Sequence, residues 1–192
     1  MPDAKPLSAG AGMPRVVLLT GNAKRPSKSR ALAHRIGERL AALQPVDLMP
    51  LDLCDAGRAF GTAYIRDELS SEADSVVAAI ENADALVVVT PIHNGSYPGL
   101  FKHLIDFVAR GSLANKPVLL GAAGGSRHHA MVIETQLMPL FAYFRAQICP
   151  YTVFESNDGE NSDAGMDARI DLAARHLARL LCISAEEKRG EH

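Results

Sequence analysis

The sequence predicts a doubly wound α/β sandwich with a parallel sheet, and three observations carry that expectation. Apolar runs at residues 16–19, 86–89, 118–120 and roughly 148–154 are continuous rather than alternating, as strands covered by helices on both faces require. Helical apolar stripes fall between them, so strand and helix alternate five times. Two runs end in loops unlike ordinary connections: 20–29 is rich in hydroxyls and cations, and 90–99 crowds Pro, Asn, Gly, Ser and Tyr together. In an open α/β sheet, ligands bind at the carboxyl ends of the strands.

The elements follow in chain order. After the first strand, residues 29–43 place Leu32, Ile36, Leu40 and Leu43 on one helical stripe, with Ser29 as a candidate cap. Residues 46–49 form a weaker second strand, and 53–71 has little periodicity and reads as a connecting excursion. A helix over 72–82 carries Val76, Val77 and Ile80. The loop after the 86–89 strand becomes an amphipathic helix with Leu100, Phe101, Leu104, Ile105 and Val108 on one face. The 118–120 strand leads into the loop 121–129. Residues 129–145 are apolar over a wide arc, and Pro139 removes a helical hydrogen bond there, so an irregular or kinked element is expected. A last helix over 167–181 spaces Ile170, Ala173, Ala174, Leu177, Leu180 and Leu181 correctly. The expected organisation is one domain over 14–183, with a disordered tail at 1–13 and a C-terminal tail at 184–192.

Composition narrows the function. At 192 residues and 47% apolar, the chain can bury a sizeable core. A net charge of −2 gives no general attraction to nucleic acid or anionic membrane. No apolar run approaches the roughly 20 residues that span a bilayer. The first 13 residues lack the hydrophobic region of a secretory signal. Cys54, Cys149 and Cys182 are far apart, show no metal spacing and fit reduced thiols, so a cytoplasmic protein is expected.

Two doubly wound strand orders compete. A dinucleotide-binding order needs a glycine fingerprint after the first strand, but 20–29 holds only Gly21, and the Walker pattern is absent. Its hydroxyls and cations instead suit a terminal phosphate monoester. The order 2-1-3-4-5 has its switch point between strands one and three, which are the strands followed by the two unusual loops. The expectation is therefore a flavodoxin-like three-layer sandwich with a five-stranded parallel sheet in that order. Phosphate donors would be the start of the first helix, Ser27 and Ser29, the Asn22 amide, and cations from Lys24, Arg25 and Lys28.

The segment Thr90-Pro91-Ile92-His93-Asn94-Gly95-Ser96-Tyr97-Pro98-Gly99 resembles the flavin-contacting loop of the NADPH-dependent FMN reductase family. The stretch from Asn22 through Pro26, Ser27, Lys28 and Ser29 is similar to the phosphate loop of FMN reductases paired with alkanesulfonate and methanesulfonate monooxygenases, with Asn22 in place of the usual Ser or Gly. Gly124, Gly125, Ser126 and His129 match the family's third loop, with Ala123 replacing Thr. The resemblance covers roughly 15–155 and is most specific over 96–143. It implies an NAD(P)H-dependent FMN reductase in which FMN and NAD(P)H are the cofactors and hydride passes directly to flavin N5, with no catalytic side chain and no metal. It places the FMN phosphate on Asn22, Lys24, Ser27 and Ser29. Pro91 and Ile92 would face the ring, with backbone N–H groups of His93, Asn94 and Gly95 at its polar edge, and Gly124, Gly125 and Ser126 would approach it from the third loop.

It also implies a homodimer or homotetramer through 129–145, and delivery of reduced flavin to a partner monooxygenase, organosulfur type. Two alternatives stay open: a flavin-bound quinone, azo or chromate reductase, and a flavodoxin-type electron carrier. Tyr97 reads as a packing aromatic, Lys102 and Asp106 as an exposed helix pair, and His128 and His129 as structural rather than catalytic.

Overall fold

The computed structural model describes residues 13–156 and 163–190; the expected tail at 1–13 otherwise lies outside the described residues. Five helices and six strands follow in the order β1 (Arg15–Thr20), α1 (Lys28–Ala41), β2 (Asp47–Asp52), α2 (Ser71–Asn82), β3 (Ala85–Pro91), α3 (Gly99–Asp106), β4 (Pro117–Gly124), α4 (Met138–Tyr143), β5 (Gln147–Ile148), β6 (Val153–Ser156) and α5 (Asp163–Gly190). The sheet is parallel in the order β2-β1-β3-β4-β5, and β6 also pairs with β4. The expected 2-1-3-4-5 arrangement is present. Its fifth position is shared by β5 and β6, interrupted at Cys149, Pro150, Tyr151 and Thr152.

The period-two geometry of a strand sends alternate residues to opposite faces. Val17, Leu19, Leu86, Val88, Val118 and Leu120 enter the core beneath α2, α3 and α4. Val16, Leu18, Ala85, Val87, Val89 and Leu119 enter the core beneath α1 and α5. This explains the uninterrupted apolar runs. The three layers are α1/α5, sheet, and α2/α3/α4.

Several boundaries differ from the sequence expectation. Ser27, not Ser29, caps α1 and accepts from the Arg30 N–H; Ser29 lies inside the first turn and is buried. Leu43 lies past the end of α1 and is 41% exposed, and Leu100 is 44% exposed rather than on the buried face of α3. β4 continues through Gly124 because Gly121 to Gly124 pair with β6. Residues 184–190, expected as a tail, continue α5.

The excursion after β2 contains two short 3-10 turns, Ala59–Thr62 and Arg66–Glu68. Arg66 ties it to α2 through Asp74 and Glu81, and to the Phe107 carbonyl. His103 packs against Phe60 and Phe107 and meets the Phe60 carbonyl at 3.1 Å. Pro139 has the expected effect. A π-helical turn, Ile133–Leu137, immediately precedes α4, and the Thr135 hydroxyl donates to the Met131 carbonyl at 2.7 Å. A single π turn, like a proline, is one of the identifiable sources of helix irregularity.

Candidate active site

Three loops leave the same edge of the sheet. Thr20 of β1 sits beside Val89 of β3, and Pro91 of β3 sits beside Ala123 of β4. The first crossover runs over the α1 face and the next over the α2 face, so the switch point lies between β1 and β3. Gly21 closes the seam: its N–H donates to the Val89 carbonyl at 3.0 Å, and a Cβ there would lie 3.0 Å from the Thr90 methyl.

The loop between β1 and α1 is organised around a carboxylate that the sequence reading missed. Asp52, at the end of β2, is fully buried. It accepts from Arg25 Nε at 2.7 Å and Nη2 at 2.9 Å, from Arg30 Nη1 at 2.8 Å, from Asn22 Nδ2 at 3.1 Å and from the Cys54 N–H at 2.9 Å. Arg25 also reaches Asp55 at 2.5 Å. Burial alone would push the Asp52 carboxyl up; the donors, Arg25 foremost, outweigh it and hold its pKa at about 2. The same pairing raises Arg25.

This hub changes what the loop offers a ligand. The Asn22 amide N–H groups are given to Asp52 and to the Lys24 carbonyl at 3.0 Å. Arg25, a candidate phosphate clamp in the sequence, clamps Asp52 instead. Lys24 is exposed, and among the described residues its ammonium has no ion-pair partner. Ser27 Oγ and Ser29 Oγ lie 2.8 Å apart at the start of α1, where free N–H groups and the positive end of the helix dipole favour an anion.

The second loop is a tight turn. Asn94 (φ 50°) and Gly95 (φ 78°) both adopt the left-handed region, and His93 and Ser96 exchange backbone hydrogen bonds of 2.8 and 3.1 Å. Asn-Gly is the pair such a turn favours. His93 therefore spends its N–H inside the turn, whereas Asn94 and Gly95 are exposed. Ile92 turns its side chain into the α2/α3/α4 core and gives its N–H to the Ala123 carbonyl, so it does not face an open slot. Pro91 is half-buried at the rim, and Tyr97 packs edge-on against Phe101. A second residue absent from the sequence reading holds this turn. Gln136, from the π-turn, accepts from the Ser96 hydroxyl and donates to the Gly95 carbonyl at 3.1 Å.

In the third loop, Gly124 makes room for a histidine. A Cβ there would lie 3.0 Å from His129 Nδ1 and 3.1 Å from Phe154. His129 Nδ1 is buried without a partner among the described residues. Gly125 is exposed, Ser126 is half-buried, and the Ser126 carbonyl accepts from the His129 N–H. His128 is exposed. Lys102 and Asp106 form the expected pair on α3. Among the described residues, no three His, Cys, Asp or Glu side chains gather as a metal site, and no helix is long and apolar enough to cross a membrane.

The donor set fits FMN. A helix tip with two hydroxyls and a lysine suits a phosphate dianion, and a neighbouring rim of proline, exposed turn backbone and glycine suits a flat ring with one polar edge. Fold and site together define a flavodoxin-like α/β scaffold built for a flavin nucleotide. The chain belongs to the NADPH-dependent FMN reductase family, whose model matches residues 14–160. It is 39% identical over 170 residues to the NADH-dependent FMN reductase SfnF of Pseudomonas fluorescens, covering 86% of this chain and 91% of that protein. It is 38% identical over 170 residues to an FMN reductase (NADPH) of Pseudomonas aeruginosa, with the same coverage. An oxidoreductase from Corynebacterium diphtheriae superposes with a TM-score of 0.82 at 28% identity, covering 89% of this chain and 98% of that one.

Proposed function

We propose that this protein is an NAD(P)H:FMN oxidoreductase. The observation that carries the reading is the convergence of the three loops at one switch point, with a helix tip suited to a phosphate at one end and a rigid, exposed turn at the other. Family membership supports the same activity. Lys24, Ser27 and Ser29 hold the phosphate, while Asn22 and Arg25 shape the loop around Asp52. Pro91, the Asn94 and Gly95 backbone, Gly125 and Ser126 border the ring. His93 and Gly124 act through backbone conformation and close packing.

Bound FMN would supply the hydride acceptor, and the protein supplies position. No side chain is assigned proton transfer.

In this reading reduced FMN leaves for a separate flavin-dependent monooxygenase of the organosulfur type, in keeping with the resemblance over 96–143. The protein works in the cytoplasm, where Cys54, Cys149 and Cys182 stay as free thiols. It assembles as a homodimer or homotetramer, for which the exposed Met131 and Tyr143 beside buried Ile133, Leu137 and Phe141 offer apolar surface.

Anaerobic mixing of protein, FMN and each reduced nicotinamide tests the activity; no flavin bleaching with either nucleotide would sink it. Lys24→Ala tests the phosphate end. It is expected to weaken FMN binding about ten- to 150-fold, as losing one charge-assisted contact of about 1.5–3 kcal/mol does, while leaving riboflavin binding within twofold. Equal losses for both flavins would place Lys24 elsewhere.

A further inference from the structure

We propose that Gln136 is a positioning residue for the flavin end of the site, acting through the 93–96 turn; the inference rests on the FMN reductase reading above. The turn is rigid in itself. Two backbone hydrogen bonds close it, and its two central residues hold left-handed conformations. Its tip, Asn94 and Gly95, is exposed, while Ile92 before it is buried and Tyr97 after it packs on Phe101. Such a unit keeps its own shape, but its internal bonds do not fix how its tip is set against the rest of the protein.

Among the described residues, its side-chain ties to the rest of the protein go to Gln136 alone. One amide grips two adjacent residues, accepting from Ser96 Oγ and donating to the Gly95 carbonyl. Donor and acceptor of a planar amide, used together, fix both the place and the rotation of the turn. The grip is firm because Gln136 sits on an anchored platform: Ile133 and Leu137, in the same π-turn, are 1% and 0% exposed. Gln136 thus sets where the exposed Asn94 and Gly95 backbone meets the ring. It neither binds phosphate nor touches the reacting atoms.

The amide chemistry makes the inference testable. Gln136→Met keeps length and apolar bulk but offers neither bond. Gln136→Glu still accepts from Ser96 but sets a carboxylate against the Gly95 carbonyl. Anaerobic stopped-flow with saturating FMN gives the limiting reduction rate per bound flavin, and the visible spectrum of bound FMN reports the ring's surroundings. Gln136→Met is expected to lower that rate about three- to tenfold, as a slightly misplaced ring would, and to shift the bound-flavin spectrum. The half-saturating nicotinamide concentration should stay within twofold. Gln136→Glu should be at least as impaired, and Ser96→Ala combined with Gln136→Met no worse than Gln136→Met alone, since both act through one contact.

A wild-type rate per flavin and an unshifted spectrum in Gln136→Met would overturn the proposal, even if thermal stability fell. Should that variant not fold, Ser96→Ala decides by the same two readouts. Wild-type protein that fails to reduce FMN would overturn the functional reading itself; an active wild type with an unaffected Gln136→Met would overturn only the positioning role.

Discussion

Asp52 concentrates more consequence in one side chain than any residue at the rim of the site. It is fully buried, and it pairs with two arginines, of which Arg25 is a candidate phosphate cation in the sequence. Removing one partner of a buried pair leaves an uncompensated charge, which costs about 3–5 kcal/mol in a closed interior. Arg25 and Arg30 keep 43% and 23% side-chain exposure, so solvent absorbs part of that cost. Asp52→Asn is expected to lower stability by about 2 kcal/mol in urea unfolding, and to weaken FMN binding more than riboflavin binding because the phosphate loop loses its centre. Acid should expose the same interaction. Folding holds this carboxyl at about 2, below the ordinary value of about 3.9. Its contribution is therefore complete above about pH 4 and lost as pH falls towards 2. The wild-type stability curve should drop more steeply through that window than the curve of Asp52→Asn; parallel curves would show that the pairing contributes nothing.

Glycines at the scale of elements divide into those that let two elements touch and those that merely fill a turn. At Gly121 a Cβ would stand 2.9 Å from the Val153 backbone carbonyl, across the seam between β4 and β6. A backbone atom cannot rotate away, so Gly121→Ala must push the strands apart. It is expected to cost about 1–3 kcal/mol, the range of overpacking, seen as a lower thermal midpoint. Gly111 is the control: a Cβ there meets nothing within 4 Å, and its φ lies outside the left-handed range. Gly111→Ala should be neutral or stabilising by up to about 1 kcal/mol, through a less entropic unfolded chain. Equal midpoints for the two variants would contradict the close packing of β6 on β4. The π-turn belongs to this scale too. Pro139 has no N–H to give to an α-helical ladder, and the turn before it carries Gln136 out to the β3 loop.

For the whole molecule, ligand binding at the candidate site and stability are linked because its three loops come together only when β1, β3 and β4 lie side by side. A ligand that binds the folded chain alone stabilises it by mass action. FMN at a hundred times its dissociation constant should add about 2.7 kcal/mol, which for a chain of this size raises the thermal midpoint by roughly 5–10 °C. Differential scanning fluorimetry with FMN and with inorganic phosphate separates the contributions, since phosphate alone should give a much smaller rise. An unchanged midpoint with saturating FMN would remove the flavin from the proposal.

The sequence by itself determined the layer architecture, the strand order and the loops that the sheet brings to one end. Those depend on local signals: apolar runs at 16–19, 86–89 and 118–120, helical stripes between them, and turn residues such as Asn94-Gly95 whose conformation needs little outside help. Pro139 announced its irregular helix for the same reason. Only the tertiary structure decided how the polar groups pair. Nothing near Asp52 in sequence points to Arg25 and Arg30, 27 and 22 residues away, nor does a lone glutamine in an apolar arc point to a turn 40 residues earlier. Arg25, one of the cations the sequence offers to a phosphate, pairs with a buried carboxylate, and Ile92 turns into the core. Hydrogen bonds and ion pairs act over about 3 Å and carry no periodicity, so their partners become known only when the folded sheet brings distant strand ends together.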